Sequence, residues 1–145
     1  MEDTVYQLIV YGLLKDLQFF KKLTGKSPCR VDLGTFEAGI EVVDEGGPSA
    51  PYSYPVALLR AENQVEVACL CLHLDISQEE VCKLEQTLLL YEGELYQLTE
   101  AVFLSATGET LMAKVFVGQP EVLERYSRRT TASTNGEPYS WPLHN

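Results

Sequence analysis

The chain has 145 residues, 46% hydrophobic and 22% charged, enough apolar material for one globular core of useful size. Its formal net charge of −10 argues against a nucleic-acid backbone or an anionic membrane surface as partner, since both call for an excess of Lys and Arg. The segment "RYSRR" at 125–129 is the local exception, but three arginines are too few to set a partner.

In chain order, "YQLIVYG" at 6–12 is a β-prone run stopped by Gly12 and reads as a first strand. In "LLKDLQFFKKLTGK" the residues Leu13, Leu17, Phe20 and Leu23 recur at helical spacing, and Gly25 is a natural stop. "CRVDLGTFEAGIEVV" alternates like a strand around Val31, Leu33 and Ile40, and "DEGGPSAPYS" at 44–53 reads as a loop. "YPVALLRA" and "VEVACLCLHL" read as two strands across the polar turn "ENQ", apolar on both faces as in strands covered on each side.

Ser77 and Glu80 then form a capping-box pattern, and Val81, Leu84, Leu88 and Tyr91 make one apolar stripe on a helix that Gly93 ends. "LYQLTEAVFLSATGETLMAKVFVG" reads as a hairpin turning at Ala106–Glu109. The segments predict an α+β fold, a small mixed β-barrel-like sheet with flanking helices, over residues 1–118. Residues 119–145 are expected to be an extension, a short helix at "PEVLERY" followed by an irregular tail carrying Trp141.

No run approaches the roughly 18 apolar residues of a membrane span. The "MEDTVYQ" start is acidic where a secretory leader is basic, so a cytoplasmic protein is expected, with Cys29, Cys69, Cys71 and Cys82 as reduced thiols. Cys69, Cys71 and His73 form a C-x-C-x-H run, but same-face residues about 6–7 Å apart along a strand suit one tetrahedral metal poorly, so core thiols and no metal are expected. There is no G-x-S-x-G elbow, phosphate loop or dinucleotide fingerprint. Any chemistry must therefore run on a carboxylate and backbone dipoles.

Glu92 is the candidate. It sits where a helix ends and the partial charge is negative, an unfavourable place for an ionised acid. That field, with burial beside Leu89, Leu90 and Tyr91, would raise its pKa toward the value a general acid/base needs near neutrality. At Gly12 a glycine lies between a strand and a helix, which lets backbone N–H groups converge as an anion site does. A turn in which Gly12 only relieves steric strain would look the same.

Together these features resemble the gamma-glutamylcyclotransferase-like family, which includes the gamma-glutamylamine cyclotransferases and the plant avirulence-induced group. Tyr11-Gly12-Leu13-Leu14 is similar to its Y-G-[ST]-[LN] opening, and Tyr54-Pro55 to its Tyr-Pro strand. Tyr91-Glu92-Gly93 with Tyr96 is similar to its Tyr/Phe-Glu-Gly segment, and Ala113 to Val117 to its last strand. The matches fall in order over roughly residues 6–117. Leu13 replaces the hydroxyl residue after Y-G, Leu98 an arginine frequent in relatives, and Leu89 an acidic residue common there.

The resemblance implies a barrel with flanking helices and a cyclotransferase that needs no cofactor. Glu92 would be the general acid/base, and Tyr11, Gly12, Leu13, Leu14 and Tyr96 would bind a small gamma-glutamyl amine or peptide and release 5-oxoproline. A catalytically silent small-ligand or interaction module on the same fold is the alternative.

Overall fold

The computed structural model describes residues 4–45, 52–59, 64–130 and 137–140. Strands β1 (Thr4–Val10), β2 (Arg30–Glu45), β4 (Val65–Ile76), β5 (Tyr96–Ser105) and β6 (Thr110–Gly118) form a five-stranded mixed barrel, in the order β2-β4-β1-β6-β5. Only β1 and β6 run parallel within it; the other pairs are antiparallel. A short pairing of Gly34 and Thr35 with Ser105 and Leu104 joins β5 back to β2 and closes the circle. The long second half of β2 extends past the barrel, where β3 (Tyr52–Leu58) and β7 (Ser127–Thr130) pair with it.

Strand periodicity sorts the core into layers. On β4 the side chains of Val67, Cys69 and Cys71 fill the barrel interior with Ile9, Phe36, Phe103 and Val115. The alternate residues Leu72, Leu74 and Ile76 face outward and pack with Tyr6, Leu8, Phe20, Leu84 and Leu88 under helices α1 (Leu17–Thr24) and α2 (Gln78–Glu92). This is the covered-on-both-faces pattern that the apolar run at 65–74 predicts. A third cluster joins Val43, Val56 and Leu95 to Leu123 on the single-turn helix α3 (Pro120–Leu123). Among the described residues no helix is long and apolar enough to cross a membrane.

Two elements differ from expectation. The helix predicted from Leu13 is broken: Leu13–Lys15 forms one 3-10 turn, Asp16 adopts an extended backbone, and α1 starts only at Leu17. The reason is Asp16, whose carboxylate accepts hydrogen bonds from the N–H groups of Gln18 and Phe19 and so caps α1 instead of continuing a helix. The tail expected to be irregular is also in part ordered. Ser127–Thr130 adds a strand to β2, and Tyr139 pairs beside β4, exchanging backbone hydrogen bonds with Glu66 and Ala68. Trp141 and parts of the predicted 44–53 loop and "ENQ" turn lie outside the described residues.

Candidate active site

A cleft of about 160 Å³ opens at the end of the barrel where β1 finishes. Its floor and one wall are Ile9, Val10 and the turn Tyr11–Leu14; Tyr54 and Pro55 of β3, Tyr91, Glu92, Tyr96 and Phe116 complete it. All six residues singled out from the sequence, Tyr11, Gly12, Leu13, Leu14, Glu92 and Tyr96, therefore line one cavity, although some eighty positions separate the two segments.

Local structure explains the placement. The Ser77–Glu80 capping box starts α2 in register, with the Ser77 hydroxyl accepting from the Glu80 N–H and the Glu80 carboxylate accepting from the Ser77 N–H. Leu84 and Leu88 bury the inner stripe, and the Tyr91 ring packs on Phe19 of α1 at 5.6 Å. Glu92 is the last helical residue. Gly93, at φ 86° and ψ −178°, then turns the chain sharply, its N–H donating to the Leu89 carbonyl at 2.9 Å. The Gln119 side chain holds the outgoing turn by donating to the carbonyls of Glu94 and Tyr96.

The electrostatics set Glu92 apart. Burial raises its pKa from the ordinary carboxyl value to about 7. No basic residue lies in the last turn of α2 to oppose that shift, and among the described residues none of the lining side chains is cationic. Across the cleft, Gly12 precedes the 3-10 turn and supplies no side-chain cap to the first N–H groups of that turn. Leu14 is buried beneath the helices, whereas Leu13 is 46% exposed at the cleft mouth. The Tyr11 ring packs on Phe36 at 5.2 Å, and its hydroxyl donates to the Phe116 carbonyl, which makes it part of the cleft base.

Lining residues outside the predicted set are Ile9, Val10, Tyr54, Pro55, Tyr91 and Phe116. Tyr54-Pro55 carried a signal: a proline within a strand marks an edge, and β3 is the edge strand next to β2. Phe116 gave no polar signal because it contributes its ring and its backbone carbonyl. Leu98, in the position of a frequent arginine, is a partly buried member of the layer beneath the helices. Cys69 and Cys71 are interior side chains of the barrel, and burial pushes both thiols up to about 12.

No family model matches the chain, and no curated protein matches it in sequence. Among solved structures it is similar to a gamma-glutamyl cyclotransferase at 9% identity, covering 86% of this chain and 70% of that one, with a TM-score of 0.52. The chain has a gamma-glutamyl cyclotransferase-like fold. The same fold is shared with part of the Kluyveromyces lactis allophanate hydrolase (S177A form), at 10% identity over 88% of this chain and 19% of that one, TM-score 0.50. A solution structure from Arabidopsis thaliana aligns at 13% identity, covering 81% of this chain and 65% of that one, with a TM-score of 0.46.

Proposed function

We propose that the protein is a gamma-glutamyl cyclotransferase acting on a small gamma-glutamyl amine or peptide. The observation that carries this reading is a single carboxyl, Glu92, with a pKa of about 7, sharing a small cleft with an uncapped backbone turn at Gly12. The substrate α-carboxylate would sit against the N–H groups of the Tyr11–Leu14 turn, as anions do at such turns. That pose would direct the α-amine toward the γ-carbonyl of the same molecule.

The α-nitrogen attacks the γ-carbon, forming the ring C–N bond. Glu92 takes a proton from that nitrogen and delivers it to the departing amine as the original amide C–N bond breaks. The products are 5-oxoproline and the free amine, and no group outside substrate and protein is consumed. Because nucleophile and electrophile belong to one molecule, the protein's tasks are orientation and one proton transfer. A carboxyl titrating near 7 can both accept and return that proton at neutral pH.

The test is 5-oxoproline release from a panel of gamma-glutamyl compounds, with Glu92→Gln abolishing it. A second reading is favoured by Leu13, whose exposed alkyl group stands at the mouth where the resembled family has a hydroxyl. Here the cleft would bind a gamma-glutamyl ligand without turnover. Thermal stabilisation by members of the panel, with no 5-oxoproline formed, would select it. The fold itself does not choose, since it also occurs within a chain named for allophanate hydrolysis.

A further inference from the structure

The barrel has a second opening, at the end opposite the Glu92 cleft. There a cavity of about 400 Å³ is bounded by Val5 and Gln7 of β1, Arg30 and Asp32 of β2, His73 of β4 and Glu109 of the β5–β6 turn, with Cys29, Ser105 and Leu111 at its margin. His73 is the buried polar residue of this end, 6% exposed. Its Nε2 lies 2.9 Å from the Asp32 carboxylate, whose other oxygen accepts from Arg30 Nε at 3.2 Å. The Cys29 thiol donates to the His73 backbone carbonyl and not to the ring.

That geometry favours one imidazole tautomer. With the Asp32 carboxylate accepting from Nε2–H, the tautomer that carries its one proton there presents Nδ1 as a hydrogen-bond acceptor. Nδ1 has no partner among the described residues. A buried acceptor left unpaired costs free energy, so a donor is needed at this position. The surrounding charge indicates its sign. Arg30 is offset by Asp32, Glu109 adds a second carboxylate, and strand alternation places Asp75 on the face of β4 that carries His73, one step further out. Among the described residues no three His, Cys, Asp or Glu side chains converge as a metal centre requires. Val5 and Leu111 supply an apolar wall.

We infer that this second opening is a binding site for a small primary ammonium ion. The ammonium group donates to His73 Nδ1, the Glu109 carboxylate balances its charge while Asp32 is engaged by Arg30 and the ring, and its alkyl part lies against Val5 and Leu111. Asp32 is a positioning residue in this arrangement, because it holds the ring with Nδ1 free to accept. The net charge of −10 favours approach of a cation. This site is independent of Glu92 and of any reaction in the first cleft.

The test is titration of the full chain with propylammonium chloride, following the His73 ring nitrogens by long-range proton–nitrogen NMR and the melting temperature in parallel. The expected result is a saturable Nδ1 shift and a rise in melting temperature, both weakened by salt, with neither produced by propanol or propionate. His73→Phe should remove the stabilisation. Glu109→Gln, an exposed turn substitution that leaves the fold intact, should weaken binding several-fold. Asp32→Asn should weaken it about tenfold or more by freeing the ring to flip. Saturation by propionate instead would overturn the proposal in favour of an anion site at Arg30. The absence of a saturable response up to tens of millimolar, or stabilisation unchanged in Glu109→Gln, would also overturn it.

Discussion

At the scale of single residues, Glu92 is a group whose native environment favours its protonated form. Burial raises its pKa from 4.5 to about 7. A raised folded-state pKa contributes stability that is fully present below the unfolded value and is lost as pH rises through the folded one. Ionised Glu92 should therefore weaken the fold by about 3 kcal/mol on the alkaline side of 7, and not at all on the acid side of 4.5. Glu92→Gln should remove that dependence. In urea unfolding the variant should match the parent in acid and exceed it in mild alkali, while 5-oxoproline release disappears. On the proposed mechanism the parent's kcat/KM should climb with pH through an apparent pKa near 7, because the base form of Glu92 would be the active one. Leu13 makes a complementary case: at 46% exposure, Leu13→Ser should change stability by about 0.5 kcal/mol or less. It places a hydroxyl beside the turn proposed to hold the substrate carboxylate, so the expected kinetic change on that reading is a lower KM with kcat little altered.

At the scale of elements, the end of α2 presents Glu92 to the cleft, and Gly93 determines how that end is made. Its φ of 86° with ψ of −178° lies in a region essentially reserved for glycine, and an added Cβ would meet no atom within 4 Å. The cost of Gly93→Ala is thus backbone strain alone, about 1–3 kcal/mol. Gly25, which ends α1 at φ 75° and ψ 6°, lies in the ordinary left-handed well, so Gly25→Ala should cost only about 1 kcal/mol. Equilibrium unfolding of the two variants should rank them in that order, and only Gly93→Ala should shift the Glu92 titration. These elements also show what was legible in the sequence. The capping box, the apolar stripe and the terminal glycine sit within a few positions of one another, so local rules predict α2 and the residue at which it ends. The break at Asp16 was missed because helical spacing continues through it, and only the capping geometry shows that its carboxylate serves α1. Strand β7 was missed because "SRRT" has no apolar alternation; it is defined by its partner, the overhanging half of β2. The second cavity was equally hidden, since Asp32 and His73 come from different strands and meet only through the β2–β4 register.

At the scale of the whole molecule, the two openings are ends of one barrel, and the barrel is closed by very few hydrogen-bonded residues. Gly34 is the hinge of that closure. It pairs with Cys69 on one side and with Ser105 on the other. A Cβ at Gly34 would collide with the Leu104 carbonyl oxygen and lie 2.6 Å from the Phe103 ring, which is itself fully buried. Neither obstacle is a flexible side-chain tip, so the seam must open or the interior must repack. Gly34→Ala should therefore cost about 2–4 kcal/mol, as overpacking in a filled core does. The loss should also be directional. Ser105 lies at the margin of the His73 cavity, whereas the Glu92 cleft is built from the far ends of β1 and β6 and from α2. Amide hydrogen exchange should show the Ala106 N–H, which donates to the Leu33 carbonyl, losing protection first, with Leu88 and Leu89 in α2 protected as in the parent. Propylammonium binding should fall with the seam while the Glu92 titration stays near 7. Equal loss of protection at both ends would instead show that the barrel opens as one cooperative unit and that its two mouths are energetically inseparable.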